Sequence, residues 1–228
     1  MPVELMTLTD RQIAKQNLRD AMSVVWNLDR LGDIGGHSTT KLGQPVLAET
    51  PFGRGIIFNG IEDGLIVRSN PLDSAAAFTI EIIFWPDFSE PMNVEQRFLH
   101  IQNPDNENRR VLIELRHAAN NEWFLDTFIK SEESSCTLYA DAFRHRAGNW
   151  YHAALVYENG TMKHYVDGRE ELSGRVKYVP IESGHTAIGV RMNRRFWYKG
   201  AIRTIKVTRC ALPPGEFLLR PSDTDTAT

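Results

Sequence analysis

The sequence predicts an all-β, two-sheet antiparallel sandwich entered through one short helix. Three observations lead there: about a dozen short β-patterned runs, turn residues between them, and a single stretch of helical spacing at the start. A chain built this way buries its apolar faces sheet on sheet. At 228 residues it suits one domain. That length buries enough surface for a core to need neither metal nor disulfide.

The elements follow in order. Thr9 can cap a helix, Gln12 completes a capping box, and Leu8 can staple onto Ile13, so a helix is expected from Asp10 to Met22. Its apolar positions, Ile13 and Leu18, are too sparse for a core stripe, so it should cover a sheet edge or sandwich end. Val24-Val25-Trp26 is extended, and residues 32–55, rich in Gly, Thr and Pro, read as a long ordered connection. Strands are expected at Gly55–Phe58, Leu65–Arg68, Phe78–Trp85, Arg97–Gln102, Val111–Arg116 and Trp123–Ile129. Others fall at Thr137–Tyr139, Trp150–Tyr157, Met162–Val166, Thr186–Val190 and Ala201–Val207. Phe78, Ile80, Ile82 and Phe84 share one face, and Pro86 halts that ladder. Asn159-Gly160 is the strongest two-residue hairpin signal and outweighs the glycosylation sequon it begins. Trp150 and His152 share a face, with Trp150 expected in the core. The chain thus divides into a helical extension (1–23), the sandwich (24–220) and a polar tail (221–228).

Composition narrows the function classes. A net charge of −3 argues against nonspecific nucleic-acid binding, and Arg109–Arg110 and Arg194–Arg195 read as solvated loop residues. No run reaches the roughly 18 apolar residues of a membrane span. Glu4, Asp10, Arg11 and Lys15 interrupt any signal-peptide core, so the compartment stays open and would be extracellular if a leader had been removed. Cys136 and Cys210 read as two buried thiols rather than a bridge. Neither has zinc-ligand spacing, and there is no phosphate-binding Gly loop or Gly-x-Ser-x-Gly elbow, so no cofactor is expected.

The residues that carry chemistry lie in the middle third. Strict alternation puts Gln96, Phe98, His100 and Gln102 on one face, and Arg110, Leu112, Glu114 and Arg116 on one face of the next strand. Trp123-Phe124-Leu125-Asp126 adds an aromatic and a carboxylate, and His145 and His152 flank Trp150. A solvated outer face accounts for such a pattern as well as a ligand groove does. The mixture nevertheless suits sugars: Arg and Glu offer forked hydrogen bonds to hydroxyls or uronate carboxylates, and flat rings cover sugar faces. The candidate ligand-binding set is therefore Arg97, His100, Gln102, Arg110, Glu114, Arg116, Asp126 and His145.

Four segments between Trp26 and Phe217 carry a family resemblance. They are Gly55-Ile56-Ile57-Phe58-Asn59-Gly60, Phe78-Thr79-Ile80-Glu81-Ile82 with Trp85-Pro86, Trp150–Tyr157 with Lys163–Gly168, and Ile188-Gly189-Val190 with Lys199-Gly200-Ala201-Ile202. In that order they resemble the laminin-G-like branch of the concanavalin A-like domains. The resemblance implies a jelly-roll sandwich, a fold that hosts lectins, carbohydrate-binding modules, glycosidases and polysaccharide lyases. Many relatives place an acidic residue, in some a calcium ligand, where this chain has Arg203. Asp29, Asp33, Glu62 and Asp63 could offer oxygen ligands but read as surface carboxylates, so no metal is expected.

The Glu-x-Asp-x-x-Glu of glucanases on this fold is missing, since Glu81-Ile82-Ile83-Phe84 has no partner carboxylates. Some alginate lyases carry Arg-x-Glu-x-Arg, Gln-x-His and Tyr-x-Lys-x-Gly. Here Leu112 replaces the first Arg, His100-x-Gln102 reverses the second motif, and Tyr198-Lys199-Gly200 is a partial third. Were that resemblance functional, Arg116 would neutralise a uronate and His100 or Tyr198 would move the proton, beside Glu114. The expected function is noncatalytic carbohydrate or glycoconjugate binding, without nucleic-acid or membrane partners. The alternatives are a polysaccharide lyase or hydrolase and a protein–protein interaction module.

Overall fold

The computed structural model describes residues 8–217, except the side chains of residues 8–12. The proposed capping box at Thr9 and Gln12 and the staple from Leu8 therefore lie outside the described side chains. Helix α1 (Leu8–Ala21) leads into β1 (Ser23–Asn27), β2 (Asp33–Ile34), β3 (His37–Leu42), β4 (Val46–Thr50), β5 (Gly53–Asn59) and β6 (Gly64–Val67). Next come β7 (Phe78–Pro86), β8 (Glu95–Gln102), β9 (Arg109–Ala118), β10 (Glu122–Ser131), β11 (Ser134–Tyr139) and β12 (His145–Arg146). The chain continues through β13 (Tyr151–Glu158), β14 (Thr161–Val166), β15 (Arg169–Arg175), β16 (His185–Ile188) and β17 (Lys199–Thr208). None of the described helices is long and apolar enough to cross a membrane.

The strands form two antiparallel sheets. The eight-stranded sheet runs β15-β14-β13-β7-β17-β5-β4, with β1 also on β17, and the nine-stranded sheet runs β11-β10-β9-β8-β16-β6-β3-β2, with β12 on β10. Alternation fills the space between them: Phe78, Ile80, Ile82 and Phe84 of β7 meet Phe98, Val111, Ile113, Leu115 and Trp123 in one continuous core. Burying apolar surface there, at ~25 cal/mol per Å², is what holds the sheets face to face.

Several expectations need correction. Residues 32–55 are not mere connection, for β2, β3 and β4 lie in them, joined at β2–β3 by Gly35 and Gly36 in left-handed conformation. A Cβ on Gly35 would collide with the Trp26 indole, so glycine is required there. Strand β15 was also not anticipated. Trp150 is only half-buried, edge-on to Phe52 at 5.4 Å, and Trp26 and Trp123 are the tryptophans of the core. Asn159 and Gly160 both have positive φ and join β13 to β14 with Glu158 opposite Thr161, as a two-residue hairpin turn requires. Cys136 and Cys210 are free thiols.

The outer face of the eight-stranded sheet is covered over β13 and β14, while Val46 and Ile57 at its β4–β5 end stay exposed. Past β17 the chain crosses it, placing Leu212 and Phe217 against Ala154, Val156 and Tyr165. The Thr79 hydroxyl donates to the Cys210 carbonyl and accepts the Leu212 N–H, both at 2.9 Å. Helix α1 joins this cover through Lys15 and Arg19, which both pair with Glu216. The outer face of the nine-stranded sheet is thus where the polar residues picked out by sequence can meet a ligand.

Candidate functional site

A β-bulge in β8 decides which side chains reach that face. The register against β9 slips between Arg97 and Leu99, so Gln96, Phe98, Leu99 and Ile101 turn to the core side. Glu95, Arg97, His100 and Gln102 turn outward. Strict alternation had grouped Gln96 and Phe98 with His100 and Gln102; the extra residue of the bulge breaks that grouping and puts Arg97 in their place. Arg97 pairs with Glu114, and Glu114 in turn with Asp126, which is opposite Tyr139 on β11. One register step along, Glu95 is opposite Arg116 and Arg116 opposite Phe124.

Side chains in these two rows form a closed set of ion pairs. Arg116 reaches Asp126 Oδ2 at 2.5 Å through Nε and Glu95 Oε1 at 2.9 Å through Nη1. Arg97 reaches Glu95 Oε2 at 2.7 Å through Nη1 and contacts Glu114 through Nε. Burial is unusual for an outer face: Asp126 is 0% and Glu114 4% exposed, while Tyr139 beside them is 54% exposed. The Arg116 guanidinium lies 4.8 Å from the Tyr139 ring centre, and Phe124 stacks on the same ring at 6.5 Å.

The electrostatics follow from this crowding. Burial, and then the charge of Asp126, pushes the Glu114 carboxyl up to about 8, against the pull of Arg97 and Arg116. Burial also raises Asp126, against the pull of Arg116. Burial would raise Glu95 too, but hydrogen bonds and charge from Arg97 and Arg116 outweigh it and hold that group below its ordinary value.

A loop, residues 189–198, packs over β8. The Gly189 N–H donates to the Phe98 carbonyl at 3.2 Å, the Arg97 N–H to the Phe196 carbonyl at 2.9 Å, and the Met192 N–H to His100 Nδ1 at 3.0 Å. Phe196 lies under the Arg97 guanidinium at 3.8 Å. Accepting at Nδ1 leaves the His100 proton on Nε2. Burial, then the charges of Arg191, Arg110 and Arg97, push this ring down to about 3.

The candidate residues therefore separate. Arg97, Glu114, Arg116 and Asp126 come together, while His100, Gln102 and Arg110 share their face a few ångströms along the strands. His145 does not join them. It sits on the core side opposite Trp123, with Nε2 2.7 Å from Glu171 of β15. Tyr198 is fully buried, its hydroxyl 2.9 Å from the Trp85 carbonyl and 3.3 Å from that of Ala201. His152 pairs with Glu81 at 3.1 Å on the other sheet, beneath Phe217. Arg203 donates from Nε to the Phe52 carbonyl at 2.6 Å and from Nη1 to Asn27 at 2.9 Å. Asp63 accepts the backbone N–H groups of Gln44 and Asn59, and among the described residues no three His, Cys, Asp or Glu gather as metal ligands. Sequence reasoning missed Glu95, Tyr139 and Phe196; Glu95 stood one alternation step before Arg97, the signal that could have found it.

Two antiparallel sheets with this strand order and an open outer face on one of them define a jelly-roll sandwich. The chain belongs to the concanavalin A-like lectin/glucanases superfamily, whose sequence profile matches residues 59–216. Domain 4 of AbnA, a GH43 extracellular arabinanase from Geobacillus stearothermophilus seen with arabinotriose, is similar in structure. Its TM-score is 0.63 at 19% identity, over 84% of this chain and 94% of that one. The SAP-like pentraxin of Limulus polyphemus superposes with a TM-score of 0.57 at 16% identity, over 70% of this chain and 77% of its own. The receptor-binding domain of botulinum neurotoxin type G gives 0.60 at 11%, over 85% of this chain but 49% of its own. These likenesses concern the fold. No curated protein sequence matches the chain.

Proposed function

We propose that this is a noncatalytic glycan-binding sandwich whose binding surface is the outer face of the nine-stranded sheet, around Arg116, Asp126 and Tyr139. The observation that carries the reading is the lattice that Glu95, Arg97, Glu114, Arg116 and Asp126 form beside an exposed aromatic ring. Such a lattice fixes the direction of its remaining donors and acceptors, as hydroxyl recognition demands, and the Tyr139 ring supplies an apolar platform for a sugar face. The arabinotriose held by the arabinanase domain supports this reading by analogy of fold.

A lyase mechanism finds less support. The base must reach the substrate, yet His100 and Tyr198 are both fully buried and already hydrogen-bonded.

A glycan array followed by calorimetry on the best ligands tests the proposal. Tyr139→Ala, and Arg116→Lys, which keeps the charge but loses the fork, should each weaken binding by about tenfold with near-native melting. Undiminished affinity in both variants, or no glycan bound at all, would sink the reading.

A further inference from the structure

Charge is unevenly spread over this face. Two register steps from the lattice, His185, Gln102, Arg110 and Lys130 stand side by side on β16, β8, β9 and β10. That row contains no carboxylate. The loop whose Met192 is bonded to His100 carries a second guanidinium, that of Arg191; burial first, and then its charge, lower the proton affinity of Arg110. The ion pairs of the face go to Arg97 and Arg116; among the described residues none goes to Arg110, Lys130 or Arg191.

The nearest acids, Glu107 and Glu132, act on this row by charge but form no ion pair with it. Glu132 is taken by Arg109 at 2.5 Å and by Asn106 at 3.2 Å. Glu107 gives Arg110 Nη1 its backbone carbonyl, and its charge acts on Arg110 without forming an ion pair. The Arg110 Nε is buried and has no hydrogen-bond partner, and its guanidinium lies 5.2 Å from the Phe128 ring centre. Two like charges on one face without a direct ion pair raise the energy of the empty site, and an anion with paired oxygens relieves it.

We propose that Arg110 and Arg191, flanked by Gln102, Lys130 and His185, receive the carboxylate or sulfate of an acidic glycan. This rests on the reading that the same face binds glycans, and it names the class of sugar. From Arg110 to Glu114 along β9 is roughly 13 Å at ~3.3 Å per residue, so an oligosaccharide rather than a single ring spans both ends of the face.

The test uses the full chain in calorimetric titrations with a galacturonate oligomer, a sulfated galactan oligomer free of uronate, a neutral arabino-oligosaccharide and inorganic sulfate. The wild type should bind one of the two acidic oligomers, more weakly as salt rises. Which of them binds separates carboxylate from sulfate recognition. The Arg110→Gln/Arg191→Gln variant should lose at least about tenfold in that affinity, the loss of one charge-assisted pair, and keep any neutral-sugar binding. Arg191→Gln alone, on the loop, should lose part of it and serves as the control for folding.

Acidic-oligomer binding that survives the double variant but is lost in Tyr139→Ala would overturn the anion site and leave the glycan face standing. Binding of the neutral oligomer alone would do the same. If no glycan binds, both ideas fall, even if inorganic sulfate still titrates the two arginines.

Discussion

Glu114 and His100 stand on neighbouring strands of one face and respond to pH in opposite senses. With its carboxyl pushed up to about 8, Glu114 in the folded chain keeps a proton that the unfolded chain releases above 4.5. Stability therefore falls as pH rises across that window, and the full penalty is present above about 8. Glu114→Gln has no proton to lose. Its melting temperature, measured against the wild type from pH 4.5 to 8.5, should gain steadily on it, and a constant difference would mean Glu114 ionises normally. His100 carries the reverse sign. Its ring, pushed down to about 3, stays neutral while the unfolded chain takes up a proton below 6.5. Its contribution is present above pH 6.5 and lost as pH falls toward 3. His100→Gln should thus flatten the acid side of the stability profile, and an unchanged acid limb in thermal melts would refute the assignment. The alternating charges of β9 made Glu114 and Arg116 legible as neighbours on one face. Burial of Glu114 was not legible, because it depends on side chains brought from β8, β10 and the loop at 189–198.

Elements differ in how plainly their sequences mark them. β7 and β13 alternate apolar residues with the pleat and were readable. β3, His-Ser-Thr-Thr-Lys-Leu, buries almost nothing and gives no period-two signal, so its sequence reads as connection. The β8 bulge left no trace either, since no glycine marks it, and it alone moved Gln96 and Phe98 to the core side. Helix α1 was legible as an element, and the described residues give it few anchors. Ile13 is 54% and Leu18 63% exposed, and its main ties are Lys15 and Arg19 to Glu216. The Lys15 pair is exposed and contributes ~0–1 kcal/mol, while the Arg19 pair is partly buried. Deleting residues 1–21 should then lower the melting temperature by only a few degrees, about what 1 kcal/mol removes. Light scattering should show more self-association, because β1 would lose its neighbour. Failure of the truncated chain to give a cooperative melt would instead place the helix in the core.

The molecule as a whole is held by the layer between the sheets, and its two contrasted tryptophans show how far sequence reaches into that layer. Trp150 opens a segment that resembles a family hairpin, and its position two residues before His152 suggested an inward face. In the folded chain it precedes β13 and rests against Phe52, half-buried. Trp123 instead lies wholly inside, with ring centres 5.3 Å from Phe84, 5.0 Å from Tyr151 and 4.7 Å from His145. It bridges the sheets, since Phe84 and Tyr151 belong to the eight-stranded one and Trp123 to the other. The aromatic itself was visible in the sequence, but its depth follows from the register of β10 against β9 and β12, which no local pattern encodes. Trp123→Ala leaves a cavity that stiff strands on both sides cannot close, at a cost of about 3–5 kcal/mol. That is a large share of the ~5–15 kcal/mol that holds a domain folded. Trp150→Ala loses mainly one edge-on contact and should cost nearer 1 kcal/mol. Urea titrations of the two variants should therefore give clearly different midpoints, with Trp123→Ala partly unfolded before denaturant is added. Equal midpoints, or a larger loss in Trp150→Ala, would mean that the core is centred near β13 and Phe52 rather than between β7 and β10.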